Sequence, residues 1–121
     1  MEVDKMTQRV QKSLNDAFSE AVKNHNQQVD TIHLLYALID QEDGLIPRII
    51  EKMGISVEGL KASVKTELLK LPQIQGEAAS SQGVVATRKL NEVLIKSEEI
   101  SKEFNDLYIS VEHVFLALIE L

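Results

Sequence analysis

The stretch TQRVQKSLNDAFSEAVKNHNQQVDTIHLLYALID (residues 7–40) can be laid without a gap over TRKLNEVLIKSEEISKEFNDLYISVEHVFLALIE (residues 87–120). In that register Thr7 falls on Thr87, Leu14 on Leu94, Ala17 on Ser97 and Ala21 on Ser101. Asp30 falls on Ser110, His33 on His113, and Ala37, Leu38 and Ile39 on Ala117, Leu118 and Ile119. Identities are few. They fall together on helix caps, small residues and core positions, which marks a duplicated structural unit.

Each copy reads as a helix pair. In the first, Asp4 or Thr7 caps a helix in which Val10, Leu14 and Phe18 recur at four-residue intervals, with Ala17, Ala21 and Val22 widening that face. NHNQQ (residues 24–28) ends it, and Asp30 caps the next helix, its carboxylate suited to the positive end of the helix dipole. From Ile32 to Ile39 nearly every residue is apolar, the pattern of a helix buried on all sides. In the second copy Leu90, Leu94, Ser97, Ser101 and Phe104 repeat the first helix's inner face. FNDLY (residues 104–108) turns the chain, and Ser110 caps VEHVFLALIEL.

Between the copies, QEDG (residues 41–44) breaks the chain. PRIIEKMG (residues 47–54) then places Pro47 as the first residue of a short helix closed by Gly54. Ser56 caps a further helix with Leu60, Val64, Leu68 and Leu71 on its inner face, and Pro72 stops it. Residues 72–86, PQIQGEAASSQGVVA, lack periodicity and read as a surface linker. The expected fold is therefore all-α, a pseudo-twofold duplicated helical repeat in one domain over residues 1–121. Repeat one spans 4–71, the linker 72–86 and a partial repeat two 87–121. The second copy lacks counterparts of the helices that follow Asp40, so Leu121 reads as a boundary within a longer protein.

Composition narrows the function. The 121 residues include no cysteine, which excludes disulfides and thiolate metal sites and makes the cytoplasm the expected compartment. Net charge is −6, with ten acids and six bases in residues 1–60 and nine acids and seven bases in 61–121. No basic stripe exists for nucleic acid or an anionic membrane, and no apolar run is long enough to span a bilayer. There is no GxxxxGK[ST] or GxGxxG loop for phosphates.

The polar residues each have a structural reading beside any chemical one. His33 and His113 have alanine four residues on, so neither helix offers an HxxxH metal pair, and both can bond their helix caps. His25 reads as a solvated turn residue. Asp40, Glu42 and Asp43 lack the ligand spacing of a calcium loop. Asp106 and Glu112 stand where the first copy has Asn26 and Ile32. Spacing alone reads them as a turn former and a helix-start acid; paired carboxylates doing acid–base work are the competing reading. Thr7 reads equally well as an N-cap.

With the repeat laid out, the chain resembles the duplicated N-terminal domain of Clp ATPases, and within that group the ClpB disaggregases. TQRVQKSLNDAFSEA, VDTIHLLYALI, GLIPRIIEKMGIS, LPQIQG, RKLNEVL and YISVEHVFLALIE carry the resemblance in order and cover nearly the whole chain. It implies a non-catalytic domain that captures exposed apolar segments of unfolded or aggregated proteins and passes them to the pore of a homohexamer. It implies that ATP and magnesium are bound elsewhere in that parent, with no cofactor in this chain, and that the parent works with a DnaK-type chaperone system. Family functional residues match Thr7, Asp106 and Glu112, and Leu94 matches a groove leucine. His113, at a position where relatives often carry leucine, is counted with them. The ClpA and ClpC branches imply the alternative, a docking module for a dedicated adaptor.

Overall fold

The computed structural model describes residues 3–74 and 83–121. A short 3-10 turn (Val3–Lys5) leads into α1 (Gln8–Lys23), β1 (Gln28–Val29), α2 (Thr31–Ile39), α3 (Leu45–Lys52) and α4 (Val57–Leu69). Beyond the undescribed stretch come β2 (Val85–Ala86), α5 (Arg88–Glu103) and α6 (Val111–Glu120).

Four caps expected from sequence form. Thr7 accepts from the Val10 N–H at 3.3 Å, Thr87 from Leu90 at 3.1 Å, Ser56 from Gly59 at 3.1 Å and Asp30 from Thr31 at 2.7 Å. Gly54 closes α3 with a left-handed φ of 79°, a conformation that a Cβ would strain. Pro47 departs from expectation. The helix starts two residues earlier, at Leu45, with Gly44 as its cap, so Pro47 sits inside the first turn. There its missing N–H still costs no intrahelical bond.

The apolar helix α2 is the central element, packed against α1, α3, α4, α5 and α6. Leu34, Leu38 and Ile39 are fully buried in it, and Val10, Ile46, Leu68, Leu90, Val93 and Val114 reach the same core from five other helices. Small residues let the helices approach closely: Ala17 and Ala21 on α1, Ser97 and Ser101 on α5. The serine hydroxyls satisfy themselves within their own helix, Ser97 donating to the Val93 carbonyl and Ser101 to that of Glu98, both at 2.8 Å. Phe104 departs from the expected inner face of α5. It caps the helix and lies mostly in solvent, while Val93 and Ile100 are the buried residues.

The copies clasp each other. Thr7 N–H donates to the Ile109 carbonyl at 3.0 Å, and Ile109 N–H to Lys5 at 2.8 Å. In the related position Thr87 N–H donates to the Val29 carbonyl at 2.9 Å, within the parallel pairing of β1 with β2. The segment before each first helix thus pairs with the turn of the other copy, a pseudo-twofold exchange that hydrophobic periodicity does not reveal. It corrects the linker: Val84 is buried and Val85–Ala86 are in the ladder, while residues 75–82 lie outside the described part.

Ile39 on α2 is 1% exposed beneath the surrounding helices, and over the described residues its counterpart Ile119 on α6 is 66% exposed.

Candidate functional site

Two helix pairs with one backbone plan carry different side chains at one turn. Residues 24–28 of the first copy are Asn, His, Asn, Gln and Gln; residues 104–108 of the second are Phe, Asn, Asp, Leu and Tyr. The turns share geometry. His25 and Asn105 both adopt φ of 58°. Asn26 N–H reaches back to the Ala21 carbonyl and Asp106 N–H to that of Ser101, each at 2.9 Å.

A buried histidine braces each turn from below. His33 Nδ1 accepts from the Asp30 N–H at 2.9 Å, which leaves the proton on Nε2 to donate to Asn26 Oδ1 at 2.8 Å. His113 does the same in the second copy, accepting from Ser110 N–H at 2.9 Å and donating to Asp106 Oδ2 at 2.8 Å. Each ring therefore sits at the third helical position and reaches back to cap its helix. Burial holds the pKa of His33 below the ordinary imidazole value, against the opposing pull of its bond to the Asp30 backbone and of the Asp30 and Glu20 charges.

The five expected site residues do not form one cluster. Thr7 and Glu112 are brought to the second-copy turn, Thr7 by its bond to Ile109 and Glu112 by its place in the first turn of α6. Asp106 is half exposed on the turn itself. Leu94 is not at this turn: it lies nine helical steps before Glu103 on α5, an axial distance of about 14 Å. His113 is 2% exposed and covered edge-on by Phe104, ring centroids 5.7 Å apart, so it holds Asp106 in place and presents no surface of its own.

Three exposed residues beside Asp106 escaped the sequence reading. Leu107 is 89% exposed, and Phe104 and Tyr108 are each more than half exposed around Asp106. The signal was available in the register, where Leu107 and Tyr108 replace Gln27 and Gln28. An exposed apolar group of this kind, beside carboxylates, has the composition that interaction surfaces carry. Its chemistry is contact and charge. Thr7 differs from its counterpart too: Thr87 Oγ1 donates to Asp30 Oδ1 at 3.0 Å, and no described residue takes the Thr7 hydroxyl proton.

A cleft of about 600 Å³ lies away from this turn, between α1 and the loop after α2. Arg9, Lys12, Asp16, Asp40 and Glu42 line it with mixed charge. Among the described residues no group of three or more His, Asp or Glu side chains is placed to hold a metal, and no helix is long and apolar enough to cross a membrane.

Comparison with known proteins gives a consistent family. The Clp repeat (R) N-terminal domain model matches residues 5–121. Chaperone protein ClpB of Clostridium perfringens is 60% identical over 121 residues, all of this chain and 14% of that protein. ClpB of Clostridium tetani is 45% identical over 120 residues, 99% of this chain and again 14% of the relative. The chain thus spans about one-seventh of the length of these curated relatives. The crystal structure of the Hsp104 N-terminal domain from Candida albicans superposes with a TM-score of 0.85 at 22% identity, covering 96% of this chain and 74% of that one. A ClpV N-domain solved in complex with a VipB peptide superposes at 0.77 and 18% identity, covering 94% of this chain and 67% of that one.

Proposed function

This chain belongs to the Clp repeat N-terminal domain family, and from that premise we propose that it captures exposed apolar segments of unfolded or aggregated proteins for an ATP-driven disaggregase. One observation carries the reading. The turn that duplication leaves polar in the first copy is apolar and acidic in the second, with Leu107, Tyr108 and Phe104 standing around Asp106.

The energetics suit capture. Covering a leucine side chain is worth roughly 1.5–3 kcal/mol, so two or three such residues offset association costs only modestly. Binding would be weak and tolerant of sequence, as a domain handling many clients requires. Thr7, Asp106 and Glu112 would border the apolar contact and take hydrogen bonds from a client's backbone or basic side chains. A ClpV N-domain of the same fold has been solved with a VipB peptide, which supports a segment as the kind of partner.

In this reading the parent is a homohexamer whose ATP and magnesium sites lie outside this chain. A DnaK-type system and the cytoplasm follow from the same ClpB likeness. Leu94 would contact a client only beyond this turn, back toward the middle of α5.

The test is a titration of a fluorescently labelled, reduced and carboxymethylated protein that cannot refold. We expect micromolar-range binding that weakens when Asp106 and Glu112 are both replaced by Ala, with the helical spectrum unchanged. Binding to a single folded adaptor, with no unfolded protein bound, would favour the docking role of the ClpA and ClpC branches instead.

A further inference from the structure

Both ends of the segment that joins the copies are fastened to one short stretch of the first, residues 25–30. On the near side, Ile74 N–H donates to the His25 carbonyl at 2.7 Å, and Asn26 Nδ2 donates to the Pro72 carbonyl at 3.2 Å. On the far side, Val85 N–H donates to the Gln27 carbonyl at 3.3 Å and Thr87 N–H to that of Val29 at 2.9 Å. The Thr87 hydroxyl adds a bond to Asp30 Oδ1 at 3.0 Å. This stretch is a joint of the duplicated fold.

One buried ring supports the joint. The bonds through His33 run in a single sense, from the Asp30 N–H to Nδ1, from Nε2–H to Asn26 Oδ1, and from Asn26 Nδ2 to the Pro72 carbonyl. A second ring proton would set an N–H of the ring against the N–H of Asp30. No other described group stands within hydrogen-bond distance of His33 Nδ1 to accept it. The second copy differs at this atom: His113 Nδ1 has the Ser110 hydroxyl oxygen at 2.9 Å, and its Nε2 meets a carboxylate. The charges acting on His33 are Asp30 at its own helix start and Glu20 on α1, and Glu20 is bound to Lys65 of α4. The buried side chains of α3 and α5 carry no charge, and those of α6 include one titratable group, His113. His25, also titratable, lies exposed on the joint itself.

We propose that His33 is a proton-operated latch on this joint, releasing the Pro72–Ile74 end of the connecting segment when the ring takes a second proton. Because the ring is fully buried, the joint opens first. Hydronium then gives its proton to the Nδ1 lone pair that the Asp30 N–H had engaged, and the resulting imidazolium no longer fits the closed geometry. Asn26 loses its donor, and its amide is free to turn away from Pro72. Acid traps the open form, whose ring titrates near the ordinary value, at the expense of the closed form, where burial opposes the charge. The response is one-sided, since the second-copy ring has an acceptor beside each nitrogen.

Amide hydrogen exchange followed by NMR, expressed as protection factors, tests the latch. Between pH 7.5 and pH 5.0 the protection of the Asp30 and Ile74 amides should fall about tenfold or more, because the opened ring titrates near about 6.5. Urea below the unfolding transition should barely change the exchange of these two amides, since local opening exposes little surface, while it accelerates that of Leu38 in the core. In His33→Gln, which has nothing to titrate at this place, the acid-induced fall should disappear. Protection that stays level in the unmodified chain would overturn the latch. So would a fall that carries the urea dependence of Leu38, which would make the event global unfolding, or a fall that persists in His33→Gln. The first two outcomes are read on the unmodified chain and stand even if the variant does not fold.

Discussion

His113 Nε2 holds Asp106 Oδ2 at 2.8 Å, while the same ring's Nδ1 accepts from the Ser110 N–H at 2.9 Å. A buried ring thus ties the start of α6 to the half-exposed carboxylate of the turn. The two ends of the contact should respond differently to truncation. His113→Ala removes a packed ring and orphans the Ser110 N–H, and should cost about 2–4 kcal/mol in urea unfolding. Asp106→Ala leaves an Nε2–H that water can reach and should cost about 1 kcal/mol or less. Equal costs would mean that the turn depends on Asp106 for its shape.

Acid should destabilise the chain through His33. Its native ring is neutral, accepting from Asp30 N–H and donating to Asn26, and burial lowers its pKa. The unfolded chain then binds more protons below the ordinary value of about 6.5, so stability is fully present above that pH and falls as pH drops toward the folded value. Urea midpoints measured at pH 7.5, 6.5 and 5.5 should decline. His33→Gln should flatten the decline by one residue's share; identical slopes in the two proteins would place the acid sensitivity elsewhere.

Two glycines should respond with opposite signs. Gly54→Ala places a Cβ in open space at φ of 79°, so its cost is conformational, about 1 kcal/mol. Gly59→Ala lies in the first turn of α4, where a Cβ would meet Ser56 Oγ at an ordinary 3.4 Å. It should raise stability by about 0.5–1 kcal/mol. Thermal unfolding of the pair decides this, and a common sign would contradict the backbone geometry.

The core should be least tolerant at α2. Leu38→Ala removes a fully buried side chain from the helix that contacts all five others, and should cost about 3 kcal/mol or more in urea unfolding. Ile119→Ala, in the neighbouring position of the second copy, lies on the open face and should cost less than about 1 kcal/mol.

Caps, helix order and the duplicated plan were legible in the sequence, because Thr7, Asp30, Ser56, Thr87 and Ser110 each precede a run of apolar periodicity. The exchange of Met6 and Val85–Ala86 between copies was not legible. Two-residue strands have no periodicity, and their pairing is set by the pseudo-twofold packing. Phe104 misled the reading since a helix-end aromatic at the right spacing can still point out past the cap. Of the site, Asp106, Glu112 and Thr7 came from likeness to a family. The apolar turn around them was visible only once register and exposure were set side by side. Leu94 and His113 also came from that likeness; Leu94 lies back along α5 from this turn, and His113 is buried beneath it.

The measurement closest to the central claim compares equivalent substitutions in the two copies. Leu107→Ser with Tyr108→Ser alters exposed residues of the second turn, and Gln27→Ser with Gln28→Ser alters the same places in the first. Titrated with the labelled carboxymethylated protein, the second-copy pair should lose about tenfold in affinity and the first-copy pair less than about twofold, with unfolding midpoints unchanged. Equal effects in both copies, or none in either, would contradict capture at the second turn.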